Sequence, residues 1–263
     1  LIVGDILDET LVIQSLRHID VVVHLAANTG VGPSVEDPRS DCTTNVMGTL
    51  NLLDASRLSK VKRFVFASSG APVGEVNPPI HEELAPHPVS PYGASKLAGE
   101  GYCSAYYRTY GLETVALRFG NVYGPGSTHK GSVVAKFIRQ ALAGETLEIY
   151  GDGTQTRDFI YVDDLIKAIW QASRVPNIGG EVFQIATNRE TTLEELTNQL
   201  LKELKLVGVH KISVSNAPSR LGDVQRNFSD TTKTRTFLGW QAKTSLKDGV
   251  RKTIHFYQKG FDE

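Results

Sequence analysis

A tyrosine and a lysine four residues apart, in VSPYGASKLAGEG, are the residues of this chain best suited to moving a proton. Ser90 suits a helix N-cap and Pro91 the first helical position, so a helix starts just before Tyr92. Tyr92 and Lys96 then share one helical face. An ammonium beside a phenol favours the phenolate and lowers the tyrosine pKa from its reference value of about 10. A depression of roughly two or three units, each about 1.4 kcal/mol, brings the phenol near working pH, where a base acts best. Alone, such a pair is more often an ordinary surface contact, because the spacing occurs often by chance. Three further pieces narrow the reading. KRFVFASSGAPVG is a buried strand ending in Ser68-Ser69 and a loop, which places hydroxyls at the strand's carboxyl end. HLAA, residues 24–27, ends another strand in side chains small enough for a cofactor to approach the backbone. Asn45 lies early in a long helix.

The elements that must hold these residues alternate in kind. Strands are expected at 1–3, 21–25, 63–68 and 114–119, and helices at 9–17, 39–58 and 91–110. Such alternation means βαβ units and an α/β fold with a parallel sheet. Beyond about residue 125 the pattern loosens. Strands are expected near 147–150, 159–162 and 182–186, and helices near 163–173, 192–204, 231–238 and 246–257. The division is a nucleotide-binding unit over 1–125, with residues near 160–186 added, and a smaller α/β lobe over 126–263. A cleft should lie between them.

Composition excludes several classes. The 263 residues carry a net charge of −1, with 40% hydrophobic and 22% charged residues, which argues against disorder. No basic block suggests nucleic acid, and no apolar run suggests a membrane span. Cys42 and Cys103 are far apart and fit a reducing cytoplasm rather than a disulfide framework. The histidines show no metal-ligand spacing. His24, ending a strand, reads as a packed core residue, and Asp163-Asp164 as carboxylates complementing a helix dipole.

GDILD, HLAA, NVMGTLNLLDA, FVFASSGAPVG, SPYGASK, LRFGNVYGPG, YGDGTQTRDFIYVDDL and the late RLGD and LGW together resemble the extended short-chain dehydrogenase/reductase family, in its nucleotide-sugar epimerase and dehydratase branch. The resemblance spans essentially the whole chain. It implies a Rossmann-like sheet, NAD across the sheet edge, and a UDP-sugar in the smaller lobe. Ser69, Tyr92 and Lys96 fall on the catalytic serine, tyrosine and lysine. Asp5, Ile6, Leu25, Ala26, Ala27, Thr29, Asn45, Ser68, Phe119 and Val122, with Tyr92 and Lys96, fall on cofactor positions. Asn121, Val133, Glu148, Tyr150, Arg157, Arg220, Asp223 and Asn227, with Ser69, fall on substrate positions. Arg157 and Arg220 match diphosphate-binding arginines, whose guanidinium forks suit phosphate oxygens. Tyr150 matches the aromatic beside uracil, and Glu148 a backbone contact to it. Asn227 sits where related epimerases gate N-acetyl groups.

The implied reaction is transient oxidation at the sugar C4, rotation of the 4-keto sugar, and return of the hydride to its other face. UDP-glucose and UDP-galactose are the expected pair, with UDP-glucuronate and UDP-N-acetylhexosamines open. Dehydratase relatives carry Asp-Glu after the catalytic serine or threonine, where this chain has Gly70-Ala71. The family's tyrosine before the loop's last glycine is Val73 here. The resemblance also implies a homodimer through the helices bearing Asn45 and Tyr92, with Tyr102 and Tyr106 either at that interface or in the core.

Dinucleotide-binding folds open with a strand, a Gly-rich turn and a helix, and no G-x-x-G-x-x-G occurs in this chain. That unit would be roughly 55 residues. Residues 1–3 then correspond to a third strand, which stands apart from 21–25 in the usual order and could instead pair with it directly. A truncated nucleotide-sugar-binding chain without catalysis is the alternative to an epimerase.

Overall fold

The computed structural model describes residues 1–127, 131–219 and 224–261. Asp8 caps α1 (Glu9–Ser15), its carboxylate accepting from the Leu11 amide. β1 (Val21–His24), α2 (Val31–Glu36) and α3 (Pro38–Cys42) follow, and a π-type turn at Thr43–Met47 leads into α4 (Gly48–Leu58). Next come β2 (Arg63–Ser69), α5 (Pro91–Tyr110), β3 (Glu113–Phe119) and β4 (Asn121–Tyr123). The second half contains α6 (Val133–Leu142), β5 (Leu147–Tyr150), β6 (Thr156–Arg157), β7 (Phe159–Tyr161) and α7 (Val162–Ala172). It finishes with β8 (Glu181–Ile185), β9 (Thr191–Thr192), α8 (Leu193–Leu206), β10 (Val214–Ala217), α9 (Thr232–Leu238) and α10 (Leu246–Phe261).

β1, β2, β3 and β8 form a parallel sheet in that order. One face packs Phe64 and Phe66 against α1, α4 and α5 through Val12, Leu53 and Tyr106. The other packs Val65, Leu117 and Phe183 against α7 through Leu165 and Ala168. β8 thus returns late sequence to the first sheet. A separate core joins β5, α6, α8 and α10 through Leu147, Phe137, Leu200 and Tyr257. Short pairs β10–β5, β4–β7 and β6–β9 complete the second half.

α5 approaches β2 closely because glycine permits it. A Cβ at Gly99 would lie 2.4 Å from the Phe66 ring. One at Gly93 would lie 2.7 Å from the Ala71 carbonyl oxygen.

Two expectations change. Residues 1–3 are not a strand: Leu1, Ile2 and Val3 are irregular and 118%, 64% and 85% exposed. A strand needs a ladder partner, and among the described residues β1 pairs only with β2, leaving Val21 and Val23 about 40% exposed. Direct pairing of 1–3 with β1 does not occur. The helix α6 was not anticipated, although Val134, Phe137, Ile138 and Ala141 bury one face at helical spacing. Among the described residues no helix is long and apolar enough to cross a membrane.

Candidate active site

β2 and α5 bring Ser69, Tyr92 and Lys96 to the carboxyl edge of the sheet. Ser90 caps α5 by accepting from the Gly93 amide at 3.1 Å, and Pro91 occupies its first turn. Tyr92 is half-buried beside Ser69, whose hydroxyl favours the ionised phenol. The burial of Tyr92 outweighs that contact and pushes the phenol above its ordinary value. The Lys96 ammonium is buried, donates to the Ala67 carbonyl at 3.0 Å and lies 5.9 Å from the Tyr92 ring centroid. Burial pulls Lys96 down to about 8, partly offset by Asp41.

The expected depression of Tyr92 by Lys96 is therefore not met. Burial disfavours both charged forms, raising the phenol and lowering the ammonium. The serine contact favours phenolate here, and the lysine's hydrogen bond is committed to the strand.

The cofactor positions divide. Leu25 and Ala26 are exposed just beyond β1, Ala27 is half-buried and Thr29 is exposed. Asn45 is buried in the π-type turn, where its carbonyl accepts from the Asn28 amide and its amide donates to the Asn28 carbonyl. The same amide donates to Asp41 and to the Ser95 hydroxyl. Asn45 thus ties the loop after β1 to α5. Asp5 and Ile6 precede α1. The Ile6 carbonyl accepts from Asn51, and its side chain lies against Gly48. Phe119 and Val122 are half-buried at β3 and β4.

Ser68 turns inward and donates to Glu100, which makes a two-pronged ion pair with Arg118 at 2.8 Å. Glu100 and Arg118 are about 5% exposed, and the spacing Tyr92, Lys96, Glu100 runs down one face of α5. Sequence reasoning missed this pair, although the repeat of four places it. His24 is a core histidine as expected: it contacts Thr49 at 2.9 Å, and burial holds its pKa at about 4. Asp164 does more than complement a helix dipole, since it accepts from the Lys243 and Thr244 amides.

Five expected substrate residues line one cleft of about 180 Å³: Asn121, Val133, Glu148, Tyr150 and Arg157. Lys136 joins them and was not anticipated, because its helix was not. Arg157 donates to the Thr156 and Val224 carbonyls. Asn227 lies apart from the cleft lining, its amide donating to the Thr156 hydroxyl at 3.2 Å. Arg220 and Asp223 lie outside the described residues. Among the described residues no three His, Cys, Asp or Glu are grouped to hold a metal.

Residues 1–186 match the model of the NAD dependent epimerase/dehydratase family. The chain belongs to that family. It is 39% identical over 243 residues to the UDP-glucose 4-epimerase of Mycolicibacterium smegmatis, covering 91% of this chain and 76% of that one. UDP-glucose 4-epimerase from Thermotoga maritima, solved with UDP-glucose, superposes with a TM-score of 0.90 at 39% identity, covering 98% and 84%. UDP-N-acetylglucosamine 4-epimerase from Methanobrevibacter ruminantium, solved with UDP-N-acetylmuramic acid, gives 0.92 at 30%, covering 98% and 83%. NAD is the cofactor of the family. The residues present fit the nicotinamide half of NAD. Ala26 and Ala27, just beyond β1, have small side chains, and Lys96 offers three donors, one engaged by Ala67.

Proposed function

We propose that the chain is an NAD-dependent 4-epimerase of a UDP-sugar, with UDP-glucose and UDP-galactose as the pair interconverted. The observation that carries this reading is the convergence of Ser69, Tyr92 and Lys96 at one sheet edge, with Gly70 and Ala71 following Ser69. Bound NAD supplies a reversible hydride acceptor. Tyr92 exchanges the proton of the sugar 4-hydroxyl, and Ser69 orients that oxygen while favouring the ionised phenol. Lys96 holds the nicotinamide ribose through its remaining donors. Ala26 and Ala27 leave the backbone approachable for the cofactor.

The cleft holds the rest of the substrate. Arg157 and Asn121 bind the diphosphate, and Tyr150 packs beside the base. Gly70 and Ala71 carry neither the acid nor the base that dehydratase relatives place after the catalytic residue, which favours epimerisation over elimination of water across C5–C6. Cys42 and Cys103 are free, which supports a reducing cytoplasmic setting.

The product tests the reading. Incubated with NAD and UDP-glucose, the chain should form UDP-galactose, detected by proton NMR, and Tyr92→Phe should not. A 4-keto-6-deoxy product would overturn it in favour of a dehydratase. No product, with UDP bound but no NAD retained, would favour nucleotide-sugar binding without catalysis.

We extend the proposal to a homodimer through α4 and α5. Leu58, Tyr102 and Tyr110 are 56%, 37% and 54% exposed on these helices, whereas Tyr106 is core, its hydroxyl donating to Asp54. Sedimentation should give twice the mass of one chain, and a monomer at micromolar concentration would refute the dimer.

A further inference from the structure

One end of the cleft carries a donor and an acceptor side by side. Lys136, on the first turns of α6, holds its ammonium 3.7 Å from a Glu148 carboxylate oxygen on β5. The same ammonium sits over the Tyr150 ring, 5.0 Å from its centroid. All three residues line the cleft. The pair is partly open: the Lys136 and Glu148 side chains are 28% and 42% exposed. At 3.7 Å the contact is longer than a charge-assisted hydrogen bond, so neither group is saturated by the other.

An ammonium donates only and a carboxylate accepts only. Placed against a flat aromatic ring, they form a two-point pattern for a heterocycle edge that pairs an acceptor with a neighbouring N–H. Uracil and thymine present such an edge, a 4-oxo acceptor beside N3–H. Cytosine reverses it, with a 4-amino donor beside an unprotonated nitrogen. Against cytosine, ammonium would face amine and carboxylate would face a lone pair.

We propose that Lys136 and Glu148 read the edge of the nucleobase and select a 4-oxo pyrimidine over cytosine. This rests on the reading of the cleft as a nucleoside-diphosphate-sugar site. Lys136 would donate to the 4-oxo group, and Glu148 would accept from N3–H. Tyr150 would hold the ring plane between them. Losing a partner leaves the other's polar group unmatched, which separates ligands more strongly than a missing methylene does.

Calorimetric titration of UDP and CDP into wild type, Lys136→Met and Glu148→Gln tests the proposal without the cofactor. Methionine keeps the lysine's stem packing at a partly exposed position, so that variant retains the fold. Wild type should favour UDP over CDP by about tenfold or more, a preference of about 1.4 kcal/mol. In Lys136→Met, UDP should weaken by about tenfold and CDP by less than about twofold. Glu148→Gln should also narrow the ratio. Equal weakening of both nucleotides in Lys136→Met would overturn the proposal, because the charge would then serve the diphosphate they share. A wild type binding both equally would overturn it alone, leaving the cleft reading intact. Binding of neither nucleotide by wild type would overturn the cleft reading and this inference with it.

Discussion

At the scale of single residues, burial sets the charge states at the sheet edge. Tyr92 is raised, and Lys96 and His24 are lowered, each chiefly by desolvation. For His24 the consequence is a stability that depends on acid pH. The fold holds the neutral imidazole with a pKa near 4, against 6.5 when unburied. Between those values the unfolded chain binds a proton that the folded chain does not. Stability is therefore full above pH 6.5 and falls as pH drops toward 4, by about 3 kcal/mol in all. Urea unfolding of His24→Gln should show a shallower loss over that window than wild type. An identical slope would mean that His24 does not carry the effect. This histidine was readable from HLAA as a core residue, since it ends a strand among small neighbours. The direction of the Tyr92 shift was not readable, because helical spacing conveys proximity to Lys96 but not the depth at which both lie.

At the scale of elements, α5, which carries Tyr92 and Lys96, is located by contacts along its whole length. Ser90 caps it, Gly93 fits under the Ala71 carbonyl, Gly99 admits the Phe66 ring, and Glu100 pairs with Arg118 beneath Ser68. Gly99→Ala should move α5 from β2, because the aromatic ring it meets cannot swing aside as a flexible chain end would. Overpacking of this kind costs roughly 1–3 kcal/mol, and the displaced Tyr92 should lower turnover more than it lowers UDP affinity. Thermal unfolding and UDP titration read the two effects separately, and an unchanged midpoint would contradict the packing argument. The elements of the first half were largely legible: 91–110 coincides with α5, and 63–68 with nearly all of β2. α6 was hidden by the glycine and proline that precede it. The run at 1–3 misled for a different reason. Apolar residues suit a strand, but the ladder partner that makes one is a property of the assembled sheet.

At the scale of the molecule, the fold joins a parallel sheet bearing Ser69, Tyr92 and Lys96 to a second unit that lines the cleft. β8 and α7 interleave with the first sheet, while β5, α6 and β6 line the cleft. The candidate catalytic set, Asn121, Tyr150 and Arg157 were legible because each sits in a short motif. Lys136 lay outside those motifs. Glu100 and Arg118 each lie within one, and their pairing emerged only from packing. The account's central claim is that Tyr92 exchanges the proton while other residues hold the ligand. Interconversion of UDP-glucose and UDP-galactose by Tyr92→Phe, compared with wild type in the presence of NAD, tests it most directly. The account predicts a fall in turnover of about a thousandfold or more, with the UDP dissociation constant within about twofold of wild type. Turnover by Tyr92→Phe within tenfold of wild type would contradict it.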